Sequence, residues 1–242
     1  MPVKDLIHAC HKMGIKAMDV PEEYYPLLKK LGMKPAMTSG GDYREGPTDP
    51  EQHEKVIADL KHGIDAAAKW GAGKVLAFTG MRQPGLTDKQ LADNCVRCWK
   101  KVIRYAEEKN VVICLEILNT RDDSHPMKGH PGYFGDDVEL CVDLIRRVDS
   151  PNFQLLFDIY HVQVMNGDVI SRIRQYKDII GHYHVAGAPG RNEPDETQEI
   201  FYPAIMRAIL ETGYEGYVSQ EFIPTWEDKL AALRKAVKIC DV

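Results

Sequence analysis

FQLLFDIYH, residues 153–161, is apolar at nearly every position until Asp158 and His161, and the helix-period run DVISRIRQYKDI follows it at 168–179. Side chains alternate between the two faces of a strand, so a run that is apolar at successive positions has both faces buried. A buried strand followed by an amphipathic helix is the unit of a parallel sheet with helices outside. The same unit recurs on both sides. KAMDV (16–20), KPAMTS (34–39), KVLAFTG (74–80) and VVICLEILN (111–119) come before it, and GHYHVAG (181–187) and GYVSQEF (216–222) come after. Each is followed by a helical run, ending with TWEDKLAALRKAVKI. Gly32, Gly71, Asn110 and Gly213 stand where helices should stop, since these residues tolerate the left-handed backbone of a helix end.

Seven near-equal units fit a closed α/β barrel, the (β/α)8 TIM-type fold, better than an open doubly wound sheet. No GxGxxG follows the first strand, so the dinucleotide-binding fingerprint is missing. The opening residues already read as a helix, DLIHACHKMG, so the first β-strand of an eightfold barrel is expected to be absent from this chain. The expected organisation is one barrel domain over residues 1–242.

Composition narrows the function classes. Hydrophobic residues make up 44% of the 242 residues, enough to fill a core. The net charge of −5 gives no electrostatic reason to expect nucleic acid or an anionic membrane as partner. No run approaches the roughly 20 apolar residues that span a bilayer. The first residues do not read as a signal peptide, and the six cysteines suggest no disulfide framework. Cys95 and Cys98 form a CxxC inside a helical run, with no second pair to complete a zinc site. A cytoplasmic location is the expectation.

The chemistry is sought where strands end, because a barrel's active site lies at the C-terminal ends of its strands. Four consecutive strands end in charge: Glu116, then Asp158 with His161, then His182 and His184, then Glu221. A buried carboxylate without a partner costs several kcal/mol, so converging carboxylates call for a cation. Any one of these groups alone is as readily a helix cap or a satisfied core residue. Four in succession point to one divalent metal ion held by Glu116, Asp158, His184 and Glu221. The mixed oxygen and nitrogen set suits Mn2+, Mg2+ or Co2+, with Zn2+ admissible. His182 shares a strand face with His184; the latter lies nearer the rim and is taken as the ligand.

LEILNTRD with the following PGYF, then FDIYHVQVMNGD, GHYHVAGAPGRNEPDETQEI and GYVSQEF together resemble the hydroxypyruvate isomerase family of the xylose-isomerase-like barrel superfamily. The resemblance runs over essentially the whole chain, and the PGR segment (Pro189, Gly190, Arg191) with Glu193-Pro194 is its most specific part. It implies the same four metal ligands, Glu116 and Glu221 as the acid/base pair, and His161 and Arg191 on substrate oxygens. Two features depart from the family. His184 stands where hydroxypyruvate isomerases often carry Gln, a choice typical of the epimerase branch. The loop DDSHPMKGHPGYF (122–134), with His125, Lys128 and His130, is longer than expected, and reads equally as a solvated lid or a pocket wall.

The resemblance implies an intramolecular oxidoreductase that isomerises a small hydroxy-carbonyl compound through an enediolate, hydroxypyruvate to tartronate semialdehyde. The metal would act as Lewis acid while one glutamate removes the α-proton. A ketose 3-epimerase or polyol dehydratase would use the same site, and a non-catalytic metal-binding barrel is a further alternative. A DNA-repair phosphodiesterase would need a three-metal cluster and a basic groove. The expected partner is a small hydroxy-carbonyl or sugar substrate, with no nucleic acid and no membrane, and homo-oligomerisation left open.

Overall fold

The computed structural model describes residues 1–242. The chain divides into two compact units. The first comprises Met1–Leu115 with Leu144–Gln154, and the second Glu116–Asp143 with Leu155–Val242. Within each unit the strand pairings are parallel.

The first unit holds helices α1 (Val3–Lys12), α2 (Tyr25–Lys30) and α3 (His53–Trp70), strand β1 (Lys74–Ala77), helices α4 (Asp88–Trp99) and α5 (Ile103–Glu108), and the body of β2 (Val112–Glu116). β1 pairs in register with β2, from Lys74 opposite Val112 to Ala77 opposite Leu115. The two earlier segments expected as strands form no ladder. The segment 16–20 is reduced to one parallel bridge, Ala17 with Lys34, and the segment 34–39 to that bridge and a second, Thr38 with Val75. The sequence shows why. Pro35 has no N–H to give, and the Asp19 carboxylate accepts from the Met37 N–H at 2.7 Å in place of a strand neighbour. Their positions beside one another and beside β1 are still those the alternation requires.

α3 lies against the 38–40 segment through Gly63. A Cβ built there would stand 2.3 Å from the Ser39 carbonyl oxygen, and the Gly63 carbonyl accepts from the Thr38 hydroxyl at 2.8 Å. The core of this unit is Leu60, Ile64, Val75, Ile113 and the Trp99–Phe153 ring pair, whose centroids are 4.8 Å apart. Cys95 and Cys98 are buried packing residues of α4, and neither is in a disulfide. The helical run TDKQLADNCVRCWKKVIRYAEEKN (87–110) breaks after Trp99 into α4 and α5. Gly71 closes α3 in the left-handed conformation, at φ 75°.

The second unit holds helix α6 (Val138–Val148) up to Asp143 and strand β3 (Phe153–Asp158) from Leu155. It continues through helices α7 (Ile159–Met165) and α8 (Val169–Gln175), strand β4 (Ile180–Val185), helix α9 (Tyr202–Glu211), strand β5 (Val218–Gln220) and helix α10 (Lys229–Cys240). β3 pairs with β4, Asp158 lying opposite His184, and β4 pairs with β5. Tyr183 packs against Phe157 with tilted rings and against Tyr214 edge to face, with centroids 5.9 and 4.9 Å apart. One expectation is corrected here: the run 153–161 is not all strand. The strand stops at Asp158 and α7 begins at Ile159, so His161 stands on the first turn of a helix.

Candidate active site

Glu116 and Asp158 are the last residues of β2 and β3. His184 lies one residue before the end of β4, and Glu221 follows β5, its N–H bonded to the Val185 carbonyl at 2.9 Å. One ligating atom from each of these four side chains lies within 4.8 Å of all the others. Glu116, Asp158 and His184 are buried, while the Glu221 side chain is 41% exposed. The strand ends therefore bring together the four residues that the sequence singled out, three carboxylates and one imidazole.

Each contact in this cluster divides its work. Asp158 Oδ1 accepts from the N–H groups of Tyr160 and His161 at 2.8 and 3.1 Å, which caps α7. Its other oxygen, Oδ2, faces Arg191 at 3.5 Å. Helix cap and cluster carboxylate are thus roles of two different oxygens. His184 Nδ1 stands 3.1 Å from Glu221 Oε2 and 3.3 Å from Glu116 Oε1. One imidazole proton cannot serve both, and Glu116 Oε1 is left buried with no hydrogen bond. Burial and the Glu221 charge push the Glu116 carboxyl up to about 7, with His184 pulling the other way. Burial raises Asp158 as well, against the pull of Arg191. Burial opposes a charge on His184, yet Glu221 and Glu116 hold its pKa well above the ordinary imidazole value. Three carboxylates meet only His184 and Arg191 as positive partners. A surplus of hard oxygen donors, one buried oxygen without a partner and one imidazole nitrogen aimed at two carboxylates fit a single divalent cation.

His161 is buried, and its tautomer follows from a neighbour. Its Nδ1 accepts the Asn119 backbone N–H at 3.0 Å, so the ring proton sits on Nε2. Burial first, then the Arg191 charge, hold its pKa well below the usual value, so the ring is neutral. Nε2 has no hydrogen-bond partner and lies 3.7 Å from Asp158 Oδ2. Arg191, buried and in the left-handed region at φ 56°, spreads its guanidinium over Glu221, Asp158 and the Met127 carbonyl. Its Nε is buried without a partner. His182, the alternative on β4, is engaged instead with the Ser219 hydroxyl at 3.0 Å.

The long loop 122–134 divides its roles too. His125 and Met127 are exposed, whereas His130 is buried against His161 with ring centroids 5.9 Å apart. The Lys128 carbonyl accepts from Tyr160 and Asn119 side chains at 2.9 and 2.6 Å, tying the loop to the site through its backbone. Reading the sequence alone missed Asn119, which sets the His161 tautomer. Its only signal was a polar residue closing the run VVICLEILN. Asp19, which ends the run KAMDV, accepts the Met37 backbone N–H at 2.7 Å.

A (β/α) fold whose strand ends gather a mixed oxygen and nitrogen donor set defines the class of protein. The chain belongs to the xylose isomerase-like TIM barrel family, whose model matches residues 6–239. It is similar to a human protein named putative hydroxypyruvate isomerase, 26% identical over 235 residues that cover 90% of this chain and 83% of that one. It is also 26% identical to a 2-oxo-tetronate isomerase of Pectobacterium atrosepticum, covering 93% of this chain and 87% of that one. Among solved structures, a family 2 AP endonuclease from Brucella melitensis superposes with a TM-score of 0.81 at 22% identity, over 96% of this chain and 92% of that one. That likeness is one of fold. As to reaction class, the chain is an isomerase. No helix is long and apolar enough to cross a membrane.

Proposed function

We propose that this isomerase depends on one divalent metal ion and acts on a small hydroxylated 2-oxo acid, with hydroxypyruvate to tartronate semialdehyde as the leading reaction. The carrying observation is the meeting of Glu116, Asp158, His184 and Glu221 within 4.8 Å of one another, beside a neutral His161 whose Nε2 proton is uncommitted. The names of the relatives support the substrate class, because hydroxypyruvate and 2-oxo-tetronate are both 2-oxo acids with a hydroxyl on the next carbon. Mn2+, Mg2+ and Co2+ suit the donor set best. A bound divalent ion would supply Lewis-acid polarisation of the carbonyl and the neighbouring hydroxyl.

The chain's own groups do the rest. One of the pair Glu116 and Glu221 takes the proton from the hydroxyl-bearing carbon, giving an enediolate, and a proton is returned to the former carbonyl carbon, while the hydroxyl proton passes to the former carbonyl oxygen and the hydroxyl oxygen becomes the new carbonyl. The His161 Nε2–H donates a hydrogen bond to a substrate oxygen, and Arg191 offers guanidinium N–H groups to another. Proton return to the opposite face of the original carbon would be epimerisation. The ketose 3-epimerase reading rests on His184 in place of Gln. The family match across residues 6–239 supports one barrel domain over 1–242.

The test is turnover of hydroxypyruvate by protein stripped with chelator and reloaded with Mn2+, Mg2+ or Co2+, followed by NMR of the product. Glu221→Gln should remove activity by on the order of a thousandfold or more while the far-ultraviolet circular dichroism is kept. Turnover that is unchanged by chelation or by Glu221→Gln would overturn the assignment.

A further inference from the structure

Glu193 takes no part in the four-residue cluster, yet it is a carboxylate with 1% of its surface exposed. It has three donors. Its Oε2 accepts from the Thr225 N–H at 2.7 Å, and its Oε1 accepts from the Thr225 hydroxyl at 2.6 Å and the Trp226 N–H at 3.2 Å. Burial works against its charge, but the Thr225 and Trp226 donors hold its carboxyl below the ordinary value.

The geometry around it is a strap. The segment leaving β5 hands every second residue to the segment leaving β4. The Glu221 N–H donates to the Val185 carbonyl at 2.9 Å, the Ile223 N–H to the Arg191 carbonyl at 2.7 Å, and Thr225 to the Glu193 carboxylate. The turn between is closed by the Gly187 N–H on the Asn192 carbonyl at 2.7 Å. Arg191 lies inside this strap in a left-handed conformation, which costs a non-glycine residue and persists only where its surroundings enforce it. The Arg191 guanidinium meets Glu221 across the strap. We infer that Glu193 is a positioning residue: by fastening the segment after β5 to the segment after β4, it sets the placement of Arg191 against Glu221. This rests on the functional reading only where activity is the readout.

Hydrogen exchange reads the clasp without substrate. Glu193→Ala removes the acceptors of the Thr225 and Trp226 amides, so their faster exchange is trivial. The informative amide is Ile223, whose acceptor on Arg191 is untouched by the substitution. Its protection should fall by about tenfold or more in metal-free protein. In the active enzyme, kcat should fall by on the order of a hundredfold with a smaller change in KM, the scale of a reacting group displaced by about 1 Å. Glu193→Ala added to Arg191→Met should cost little beyond Arg191→Met alone. Thr225→Val removes only the hydroxyl bond and should move Ile223 protection and kcat in the same direction by less, which keeps the test alive if Glu193→Ala does not fold. Unchanged Ile223 protection overturns the clasp. Lost protection with unchanged kcat, or losses that add in the double variant, reduces Glu193 to a structural role and overturns the positioning claim. A wild-type protein inactive on hydroxylated 2-oxo acids, with the same loss of Ile223 protection, overturns the reaction reading and upholds the clasp.

Discussion

Replacing Asp158 separates two roles that one side chain now fills. Asn at 158 keeps an oxygen where Oδ1 caps α7, and Asn caps a helix as well as Asp does. It puts an amide where Oδ2 faced the cluster, so the anionic donor is gone. In metal-free protein, the lost charge is one that burial disfavours, and with Glu221 this outweighs the pull of Arg191. Asp158→Asn should therefore unfold at or above the wild-type temperature. Asp158→Ala also loses both cap bonds, worth about 1–2 kcal/mol. For a chain of this size that corresponds to a fall of about 2–8 °C. Metal changes the ranking. An ion at a hundred times its Kd stabilises the wild type by about 2.7 kcal/mol, or roughly 5–11 °C. Both variants should lose most of that gain. The assay is thermal unfolding by circular dichroism, with chelator and then with excess Mn2+. A metal-free Asp158→Asn that falls as far as Asp158→Ala would refute the division between the two oxygens. A metal shift kept intact in Asp158→Asn would remove Asp158 from the ligand set.

Two further outcomes follow from other parts of the structure. Gly63→Ala places a Cβ 2.3 Å from the Ser39 carbonyl oxygen, a backbone atom that cannot rotate away, and should cost roughly 1–3 kcal/mol in chemical denaturation despite alanine's better helix propensity. A cost below that of a surface substitution would mean that α3 does not pack there as described. His161 should stay neutral, with its proton on Nε2, as pH is lowered from about 7.5 to about 5.5, because its Nδ1 accepts the Asn119 N–H and its pKa is depressed. Since the unfolded imidazole takes up a proton near 6.5 and the folded one resists it, this group's contribution to stability is present above that pH and is lost as pH falls. Nitrogen NMR showing a protonated Nδ1 within that range would contradict the assignment.

The sequence by itself carried the alternation of buried strand and amphipathic helix, and with it the fold class. It also carried the identity of the four strand-end residues that converge, because a charged residue in an otherwise apolar strand has to be accounted for locally. Those signals are periodic or compositional, and local physics is enough to read them. The tertiary structure decided what depends on distance between segments far apart in the chain. The segments at 16–20 and 34–39 form isolated bridges and not strands, since Pro35 and the Asp19 carboxylate break the ladder where strand propensity alone would continue it. FQLLFDIYH is strand only to Asp158, because that side chain caps a helix at the point where the apolar pattern still looks extended. The state of His161 depends on an amide 42 positions away, and Glu193 finds Thr225 at a separation of 32. No period in the sequence encodes such pairings. They exist only once the strands have set the loops side by side.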